Sequence, residues 1–531
     1  MARSFNLFVP VLLTFTCLFC LLCFYFVISS SSQASSNGFL QCLSDSRIPV
    51  LTQNSCSFKR QLEAYIRNPK FMANTNVKPL YIVMPTNTSH VQGTVRCGRQ
   101  YNMSIRVRSG GHDYEGLSYR SVHAKDFVVL DLSQLHKVSV DSHTSTAWVE
   151  SGATLGELYY KVWKASDVLG FPAGLCPTVG VGGHFSGGGF GMLMRKYGLA
   201  IDNVIDVELV DAKGRLLNKT SMGSDVFWAI RGGGGESFGI VLKWQVKLVP
   251  VPRTVTVFNV SVSTSQGAVD VVTKWQQVAP TLRDDLFIRV LVQNQRADFQ
   301  SLFLGTCDVL LPVMSDHFPE LKFNRSDCKE MTWIQSVPYI YLGNNSTVED
   351  LLNRTSSESA RNNGFKAKSD FVRQAIPRYA WVSIFTKLAQ PEAHEGLMIL
   401  DPYGGKISAV PESATPFPHR AGVLYNIQYI NYWNMASENG TVQTKWIRDM
   451  YTFMAPYVSS NPREAYFNYR DLDLGDTFEV WGPKYFKRNY PRLVMAKGMI
   501  DYDDYFHNEQ SIPSPKHGYL MQRPEALSSS F

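Results

Sequence analysis

The chain has 531 residues, of which 44% are hydrophobic and 18% are charged, so its composition is that of a globular protein and not of a disordered one. This length predicts more than one domain, each with its own core. The formal charge of +7 is small for the length, and no run of lysine or arginine is present, which argues against a nucleic-acid-binding protein.

The N-terminal segment has the pattern of a targeting signal. Arg3 precedes a nearly continuous apolar run from Leu7 to Ile28, and small polar residues follow it from Ser29 to Ser36. A charged, an apolar and a small-residue region in this order are typical of a secretory signal peptide. The apolar run is also long enough to span a bilayer, so an uncleaved membrane anchor is the alternative.

The first part of the mature chain alternates strands with a helix. Residues 78–133 contain three short β-branched runs with a helical stretch after the first, which predicts a β-α-β beginning of an α+β domain. The second run leads into Ser109, Gly110 and Gly111, whose backbone N–H groups can form a nest for a pyrophosphate. His112 follows this nest directly.

A glycine-rich stretch from Phe171 to Gly191 contains Cys176 next to a proline, and seven of the fifteen residues after Cys176 are glycine. Glycine allows a backbone to lie directly against a ligand. Because apolar residues such as Val179 and Phe190 are interspersed, the stretch is not a solvated linker. It predicts a backbone cradle for a flat, phosphate-bearing cofactor.

The remaining chain predicts a second, strand-rich region. A further glycine-rich element at residues 231–239 lacks the spacing of a Rossmann loop. From about Val255, strands rich in valine and phenylalanine alternate with helical pieces, which favours an antiparallel sheet. The polar segment 343–365 is predicted to be a surface loop.

Two short segments farther along the chain have the pattern of strands. Residues 424–429 alternate so that Asn426 and Gln428 share one face. Residues 466–470 place Phe467 and Tyr469 together in the same way. Buried polar side chains on one strand face need partners, and a substrate pocket supplies them.

The segments RSGGHDYEG and CPTVGVGGH, in which His112 and Cys176 are 64 residues apart, resemble the berberine bridge enzyme-like family of plant flavoproteins. The resemblance extends from about Phe39 to Pro513 and is strongest for the grass-pollen group 4 type. In that family the equivalent histidine and cysteine both bond covalently to the isoalloxazine ring of FAD. The resemblance therefore implies bicovalent FAD on His112 and Cys176.

The same resemblance implies an α+β fold, in which a vanillyl-alcohol-oxidase-type (PCMH) FAD-binding domain is joined to an antiparallel-sheet substrate domain. The expected divisions are a signal peptide at 1–34, the FAD-binding domain at 35–254 with a PCMH-type core at about 76–252, the substrate-binding domain at 255–461, and a C-terminal segment at 462–531 that returns to the FAD domain. The expected cofactor-binding residues are Ser109, Gly110, Gly111, Asp113, Gly180, Gly182, Gly183, His184, Glu236 and Gly239.

The resemblance also assigns catalytic and pocket residues. Tyr469 is expected to be the base, with Gln428 and Tyr114 beside it, and Phe190, Asn426 and Phe467 are expected to line the pocket. Relatives that oxidise monolignols carry a lysine in place of Asn426 and a tyrosine in place of Phe190. A cation beside a tyrosinate lowers the pKa of that tyrosine, so this activation is absent here. The stretch from Asp471 to Trp481 is also shorter than in most relatives.

Val179 is expected to guard the approach of O2 to the flavin. Relatives with valine three residues after the cysteine react readily with O2, whereas leucine or isoleucine tends to block the reaction. His184 supports the same prediction, because pollen relatives that react poorly with O2 have asparagine there. The difference between valine and leucine is one methylene group, to which packed interiors are sensitive.

The cysteines and sequons are consistent with a secreted protein. The resemblance implies cleavage of the signal, a Cys42–Cys97 disulfide and an apoplast or cell-wall location, with Cys307–Cys328 as the second bridge and Cys56 unpaired. Nine N-x-S/T sequons are present, at Asn87, Asn102, Asn218, Asn259, Asn324, Asn344, Asn345, Asn353 and Asn439. The expected molecule is a monomer that needs no metal and has no stable membrane association after cleavage.

The function expected from the resemblance is an FAD-dependent oxidase that takes hydride from a hydroxyl-bearing carbon, most simply the anomeric carbon of a sugar or oligosaccharide, and passes the electrons to O2 to give H2O2. The alternatives are oxidation of a monolignol or other alcohol, alkaloid ring closure, and a catalytically weak wall-associated flavoprotein.

Overall fold

The structure is a computed structural model that describes residues 35–72, 78–122, 126–354 and 362–517. The predicted signal peptide at 1–34 lies outside these residues. Within the described ranges, no helix combines the length and the apolar character that crossing a membrane would need.

The structure contains eighteen strands in the described residues: β1 Val50–Thr52, β2 Tyr81–Val83, β3 Ser104–Arg108, β4 Phe127–Asp131, β5 Val138–Asp141, β6 Thr146–Glu150, β7 Leu169–Gly170, β8 Val204–Val210, β9 Leu216–Leu217, β10 Ile240–Lys247, β11 Val249–Pro250, β12 Val255–Ser263, β13 Leu286–Gln293, β14 Arg296–Phe303, β15 Lys329–Met331, β16 Asn363–Val372, β17 Leu397–Pro402 and β18 Tyr425–Asn434.

The helices are α1 at 35–45, α2 Phe58–Ala64, α3 Thr88–Gln100, α4 Leu155–Ala165, α5 Val181–Ser186, α6 Met194–Tyr197, α7 Lys219–Met222, α8 Ser224–Ile230, α9 Ala268–Val278, α10 Cys307–His317, α11 Trp333–Leu342, α12 Arg378–Leu388, α13 Gly405–Ala409, α14 Thr441–Met454, α15 Phe478–Phe486 and α16 Tyr490–Ile500. This mixture of helices with parallel and antiparallel strands confirms the predicted α+β class.

The N-terminal part is built around a small sheet in the order β1-β2-β4-β3. Strands β2, β4 and β3 run parallel, and α3 connects β2 to β3, which confirms the predicted β-α-β beginning. All five residues of β4 are buried, as expected for the central strand of a covered parallel sheet. The Cys42–Cys97 disulfide attaches α1 to α3, and Cys307–Cys328 forms the second bridge.

A second sheet, in the order β5-β6-β10-β8-β9, is antiparallel. The glycine-rich stretch lies against it, because α5 begins at Val181 and the N–H groups of Val181 and Gly182 donate to the carbonyls of Ala153 and Ser151. The cradle therefore has a rigid support on the sheet instead of being an exposed loop.

The third sheet has seven strands in the order β15-β12-β14-β13-β17-β18-β16, and every pair is antiparallel. This confirms the predicted antiparallel sheet. One face packs on helices α9, α12 and α14, and the core there includes Tyr425, Ile427 and Tyr429 of β18. The opposite face carries Gln428, so the predicted alternation along this strand is confirmed.

Two predicted elements differ from the structure. The segment 343–365 is not wholly a loop, because strand β16 begins at Asn363 and pairs along its length with β18. Residues 466–470 do not form a strand but a turn, in which the Tyr469 N–H donates to the Tyr466 carbonyl. This turn directs consecutive side chains to one place, which an alternating strand cannot do.

The C-terminal residues pack on the glycine-rich element of the first part of the chain. The Lys497 ammonium on α16 is fully buried and donates to the Ser237 carbonyl at 2.6 Å and to Asp501 at 2.7 Å. The Ile512 N–H donates to the Ser237 hydroxyl at 3.1 Å. These contacts tie the chain end to residues 231–239.

Candidate active site

A cavity of about 840 Å³ lies where the two glycine-rich loops meet the open face of the seven-stranded sheet. Its walls come from the loop at 109–114, the loop at 174–192, strands β13, β17 and β18, and the turn at 466–470. The site is therefore assembled from segments separated by hundreds of residues.

The two glycine loops touch through their backbones. A Cβ atom at Gly110 would lie 2.3 Å from the Gly180 nitrogen, and one at Gly180 would lie 2.2 Å from the Gly110 nitrogen. Only glycine fits at either position, because both distances are far below van der Waals contact. The contact between these two glycines allows His112 and Cys176 to line the same side of the cavity.

Thr178 lies between the predicted covalent attachment residues. Its hydroxyl is 3.0 Å from His112 Nε2 and 3.5 Å from the Cys176 sulfur. Burial, and next the nearby Arg67, lower the pKa of His112 to about 3, so its imidazole is neutral. A neutral ring nitrogen and a thiol near one hydroxyl are both able to act as nucleophiles.

The loops also leave open space over their backbone. At Gly183 an added Cβ would meet no atom within 4 Å, so this position faces the cavity. At Gly111, φ is +69° and a Cβ would lie 1.8 Å from the Tyr65 carbonyl oxygen. At position 111 the backbone conformation and the contact with Tyr65 require glycine. At position 183 the absence of a side chain lets a ligand lie directly against the backbone.

An ion-pair chain joins three segments of the predicted cofactor site. The Arg470 guanidinium contacts Asp113 at 3.0 Å and Glu236 at 2.7 Å. The other oxygen of Asp113 accepts the N–H groups of Glu115 and Leu117 at 2.9 and 3.1 Å. Arg470 therefore holds the first glycine loop and the 231–239 element beside the turn that carries Tyr469.

The predicted catalytic residues form one cluster. The rings of Tyr114 and Tyr469 are stacked with centroids 5.5 Å apart and planes at 6°. The Gln428 amide donates to the Tyr114 hydroxyl oxygen at 2.6 Å. The Phe190 ring packs edge-on against the Tyr469 ring, with the two ring centroids 6.0 Å apart.

Burial, followed by the neighbouring Tyr114 and Asp401, raises the pKa of Tyr469 well above its ordinary value. Burial likewise raises the pKa of Tyr114. Both phenols are therefore protonated at neutral pH. For Tyr469 to accept a substrate proton, its own proton must leave.

The predicted gate residues lie on the second loop. Val179 is half-buried and lines the cavity. His184 Nε2 accepts the Gly174 N–H at 3.0 Å, and burial lowers the pKa of His184 to about 4. The His184 ring is thus neutral and fixed in orientation.

The cavity wall includes nearly all of the predicted site residues. The members present are Ser109, Gly110, Gly111, His112, Asp113, Tyr114, Cys176, Val179, Gly180, Gly182, Gly183, His184, Phe190, Glu236, Gly239, Gln428, Phe467 and Tyr469. Asn426 is not part of the wall. It is fully buried on β18, two residues before Gln428 and on the same face of the strand. Within the described residues its amide has no hydrogen-bond partner.

Sequence reasoning missed Thr178, Arg470, Arg289 and Asp401, all of which line this cavity. For the last two a signal existed: Arg289 is the only charged residue in β13, and Asp401 is the only one in β17. A single charge inside an otherwise apolar strand is rarely buried without a reason. Thr178 and Arg470 gave no comparable signal.

The residues present fit FAD. The backbone at Gly183 is open to a flat group, the nest at Ser109 to Gly111 lines the same cavity, and two nucleophilic side chains are close together. A group with a planar ring, a pyrophosphate and two electrophilic ring positions matches these features.

Comparisons with known proteins agree with this site. Residues 79–219 match an FAD binding domain, and residues 465–513 match the berberine and berberine-like family. The chain is 57% identical over 488 residues to berberine bridge enzyme-like Cyn d 4 of Cynodon dactylon, covering 90% of this chain and 92% of that protein. It is 45% identical to the monolignol oxidoreductase AtBBE-like 13 of Arabidopsis thaliana, covering 90% and 93%.

Among solved structures, Phl p 4, a grass pollen allergen with glucose dehydrogenase activity, has 55% identity and a TM-score of 0.87, covering 90% of this chain and 99% of that chain. An asparagine-to-histidine variant of Phl p 4 is described as a glucose dehydrogenase, and an isoleucine-to-valine variant as a glucose oxidase. The sequence resemblance is thereby confirmed: the chain belongs to the berberine bridge enzyme-like family and is an FAD-dependent oxidoreductase.

Proposed function

We propose that this protein is a secreted carbohydrate oxidase that removes hydride from the anomeric carbon of a sugar or oligosaccharide, leaving a lactone, with O2 as the final acceptor and H2O2 as the second product. The observation that carries the proposal is the cluster of Tyr114, Tyr469 and Gln428 in one cavity with His112 and Cys176. When bound, FAD supplies the acceptor for the hydride.

Two tyrosines bind the substrate's hydroxyl group and accept its proton. The Tyr114 oxygen accepts the Gln428 amide, so the Tyr114 proton remains available to bind the substrate oxygen. Tyr469, stacked beside it, is the proposed base. After its own proton has passed to solvent, its phenolate takes the substrate's hydroxyl proton as the carbon releases its hydride. Phe190 and Tyr114 keep the Tyr469 ring in place.

The proposed cofactor linkage is bicovalent, through His112 and Cys176. Its support is the contact of both side chains with the Thr178 hydroxyl and the contact of the two glycine loops. Ser109 to Gly111, Asp113, Gly180, Gly182 to His184, Glu236 and Gly239 are the proposed non-covalent binding residues.

The choice of a sugar rests on two observations. Phl p 4, at 55% identity, has glucose dehydrogenase activity. In addition, Asn426 stands where monolignol-oxidising relatives carry lysine, so no cation at this position favours a tyrosinate. Monolignol oxidation is the second candidate, because a monolignol oxidoreductase is 45% identical over most of the chain.

The choice of an oxidase rests on Val179. In Phl p 4 the isoleucine-to-valine variant is the glucose oxidase, while the histidine variant alone remains a dehydrogenase. The two altered positions are five residues apart, as are Val179 and His184. This supports Val179, rather than His184, as the residue that admits O2.

Secretion is supported by the two disulfides and by the exposure of all nine sequon asparagines. Disulfides persist in oxidising compartments, and glycans need surface positions. An apoplast or cell-wall location is the corresponding proposal, and the cleaved signal at 1–34 is part of it.

The test is reduction of the purified holoprotein without oxygen. We expect the flavin absorbance band to bleach on addition of glucose or cellobiose, and much more slowly with coniferyl alcohol. Admission of air should then restore the band and produce H2O2. Bleaching by coniferyl alcohol alone would contradict the sugar assignment, and a flavin that no substrate bleaches would contradict an oxidase function.

A further inference from the structure

A charged side chain that the function described above does not use faces the cavity from the sheet. Asp401 lies near the end of β17, where it pairs in register with Asn426, and the next pair on the same face of the sheet is Ile399 with Gln428. Asp401, Ile399 and Gln428 all line the cavity. Since two residues of a strand span about 7 Å, Asp401 lies about that far along the sheet from Gln428.

The Asp401 carboxylate has no hydrogen-bond or ion-pair partner among the described residues. The residue is only 5% exposed, yet within the described ranges no hydrogen bond or ion pair holds it. An unpaired buried carboxylate is costly, so a ligand that satisfies it explains why it is there. Burial raises the pKa of Asp401 to about 6, and Arg289 opposes this rise, so the group is ionised at neutral pH.

A matching cation lines the same space. The Arg289 side chain projects from β13, and its Nε donates to the Gln300 side-chain oxygen at 2.8 Å. Within the described residues its guanidinium makes no other hydrogen bond. Val290 of β13 lies opposite Leu400 of β17, which places Arg289 beside Asp401 on the neighbouring strand, and Tyr469 lines the same cavity. In agreement with this, Arg289 and Asp401 shift each other's pKa, and both shift the pKa of Tyr469.

We infer that Asp401 and Arg289 form a subsite for the hydroxyl groups next to the oxidised carbon, which makes Asp401 a specificity-determining residue for polyhydroxylated substrates. A hydroxyl group both donates and accepts, so neighbouring sugar hydroxyls can donate to the carboxylate and accept from the guanidinium. An aromatic alcohol such as coniferyl alcohol has no hydroxyl on the carbon next to the oxidised one, because its phenol lies at the far end of the molecule. It would leave the carboxylate desolvated and unpaired.

This inference deepens the proposed function and rests on it. The alternative is that Asp401 only supports the fold. We would then expect a hydrogen bond or a close ion pair to hold its carboxylate, and among the described residues Arg289 acts on it without either. A site built to hydrogen-bond substrate hydroxyls rejects molecules that lack them far more strongly than an apolar pocket rejects an extra group.

The experiment compares the wild-type holoprotein with Asp401→Asn, Asp401→Glu and, as the surface control, Asp316→Asn. Stopped-flow reduction by glucose and by coniferyl alcohol without oxygen separates Kd from the rate of reduction. Binding of glucono-1,5-lactone, followed by the shift of the oxidised flavin spectrum, reports affinity without turnover. Retained flavin and an unchanged thermal midpoint show that each variant is folded.

For Asp401→Asn we expect the Kd of glucose and of the lactone to rise about 10-fold or more, with the reduction rate at saturation within about 3-fold of wild type, because a charged hydrogen bond is lost. The Kd of coniferyl alcohol should stay the same or fall. Asp401→Glu keeps the charge and should lie between Asp401→Asn and wild type. For contrast, Tyr469→Phe should lower the reduction rate by about 100-fold and leave lactone binding near wild type.

Two outcomes would overturn the inference, and they are distinguishable. If glucose reduces the wild-type protein but Asp401→Asn binds glucose and the lactone normally, or loses affinity equally for coniferyl alcohol, the subsite is wrong and the proposed function stands. If only coniferyl alcohol reduces the wild-type protein, the proposed function and the subsite are both wrong.

Discussion

At the scale of single residues, Val179 has the most specific consequence. It lies three positions after Cys176, with its N–H bonded to the Cys176 carbonyl at 3.3 Å and its carbonyl bonded to the Leu155 N–H at 2.9 Å. The backbone is thus fixed, and a change at this position alters only the side chain that projects from it.

We therefore predict that Val179→Leu slows the return of the flavin band when photoreduced protein is mixed with air, by about 10-fold or more, because one added methylene in a packed passage obstructs O2. Reduction by substrate should stay near the wild-type rate. His184→Asn is the matched comparison and should slow reoxidation much less. Equal reoxidation rates for Val179→Leu and wild type would exclude Val179 from the reaction with O2.

At the scale of elements, the two glycine-rich loops act as a unit, since Gly110 and Gly180 are in contact. Each loop supplies one of the two proposed attachment residues, and Thr178 contacts both of them. If the attachment is bicovalent as proposed, the loss of one bond should leave the other.

This arrangement predicts the colour of denatured protein. Wild type, His112→Ala and Cys176→Ala should all keep yellow flavin in the acid-precipitated pellet, whereas the double variant should release it into the supernatant. Cys56→Ala, which changes an exposed free cysteine, is the control and should behave as wild type. Release of flavin from the wild-type protein, or from either single variant, would show that the attachment is not bicovalent.

At the scale of the whole molecule, a buried ion network joins the sheet of the second region to the segment after Tyr469. Lys366 on β16 contacts Asp471 at 2.7 Å, and Lys368 also pairs with Asp471. Their side chains are at most 6% exposed, and Glu115 of the first region pairs with Lys366. The network fixes the Tyr469 turn against the sheet.

Asp471→Asn removes the partner that both lysines share. Lys368 is then left with Asp473 alone, at 3.3 Å, whereas Lys366 keeps Glu115 and Asp473. We expect the free energy of unfolding to fall by about 3 kcal/mol, the low end of the loss when a buried pair is broken. Asp503→Asn removes an exposed pair with Arg99, and we expect a much smaller loss of stability because solvent screens that pair. Urea unfolding curves measure both. If the two variants lose similar stability, the network does not hold the regions together.

The sequence by itself determined the family, the cofactor class, and the local character of most elements. Dense glycine and a strand's alternation are local properties, so the cradle at 171–191 and the two faces of β18 could be predicted without a fold. The α+β class, the antiparallel sheet and the Cys42–Cys97 bridge followed from these patterns and from the resemblance to relatives.

Only the tertiary structure decided which side chains meet. Residues 466–470 resemble a strand locally, but contacts with distant segments fold them into a turn that brings Tyr469 onto Tyr114. Asp401 and Arg289 are more than a hundred residues apart in the chain. They face one cavity because β13 and β17 are neighbours in the sheet. Strand order and register are set by long-range packing, which periodicity along the chain does not encode.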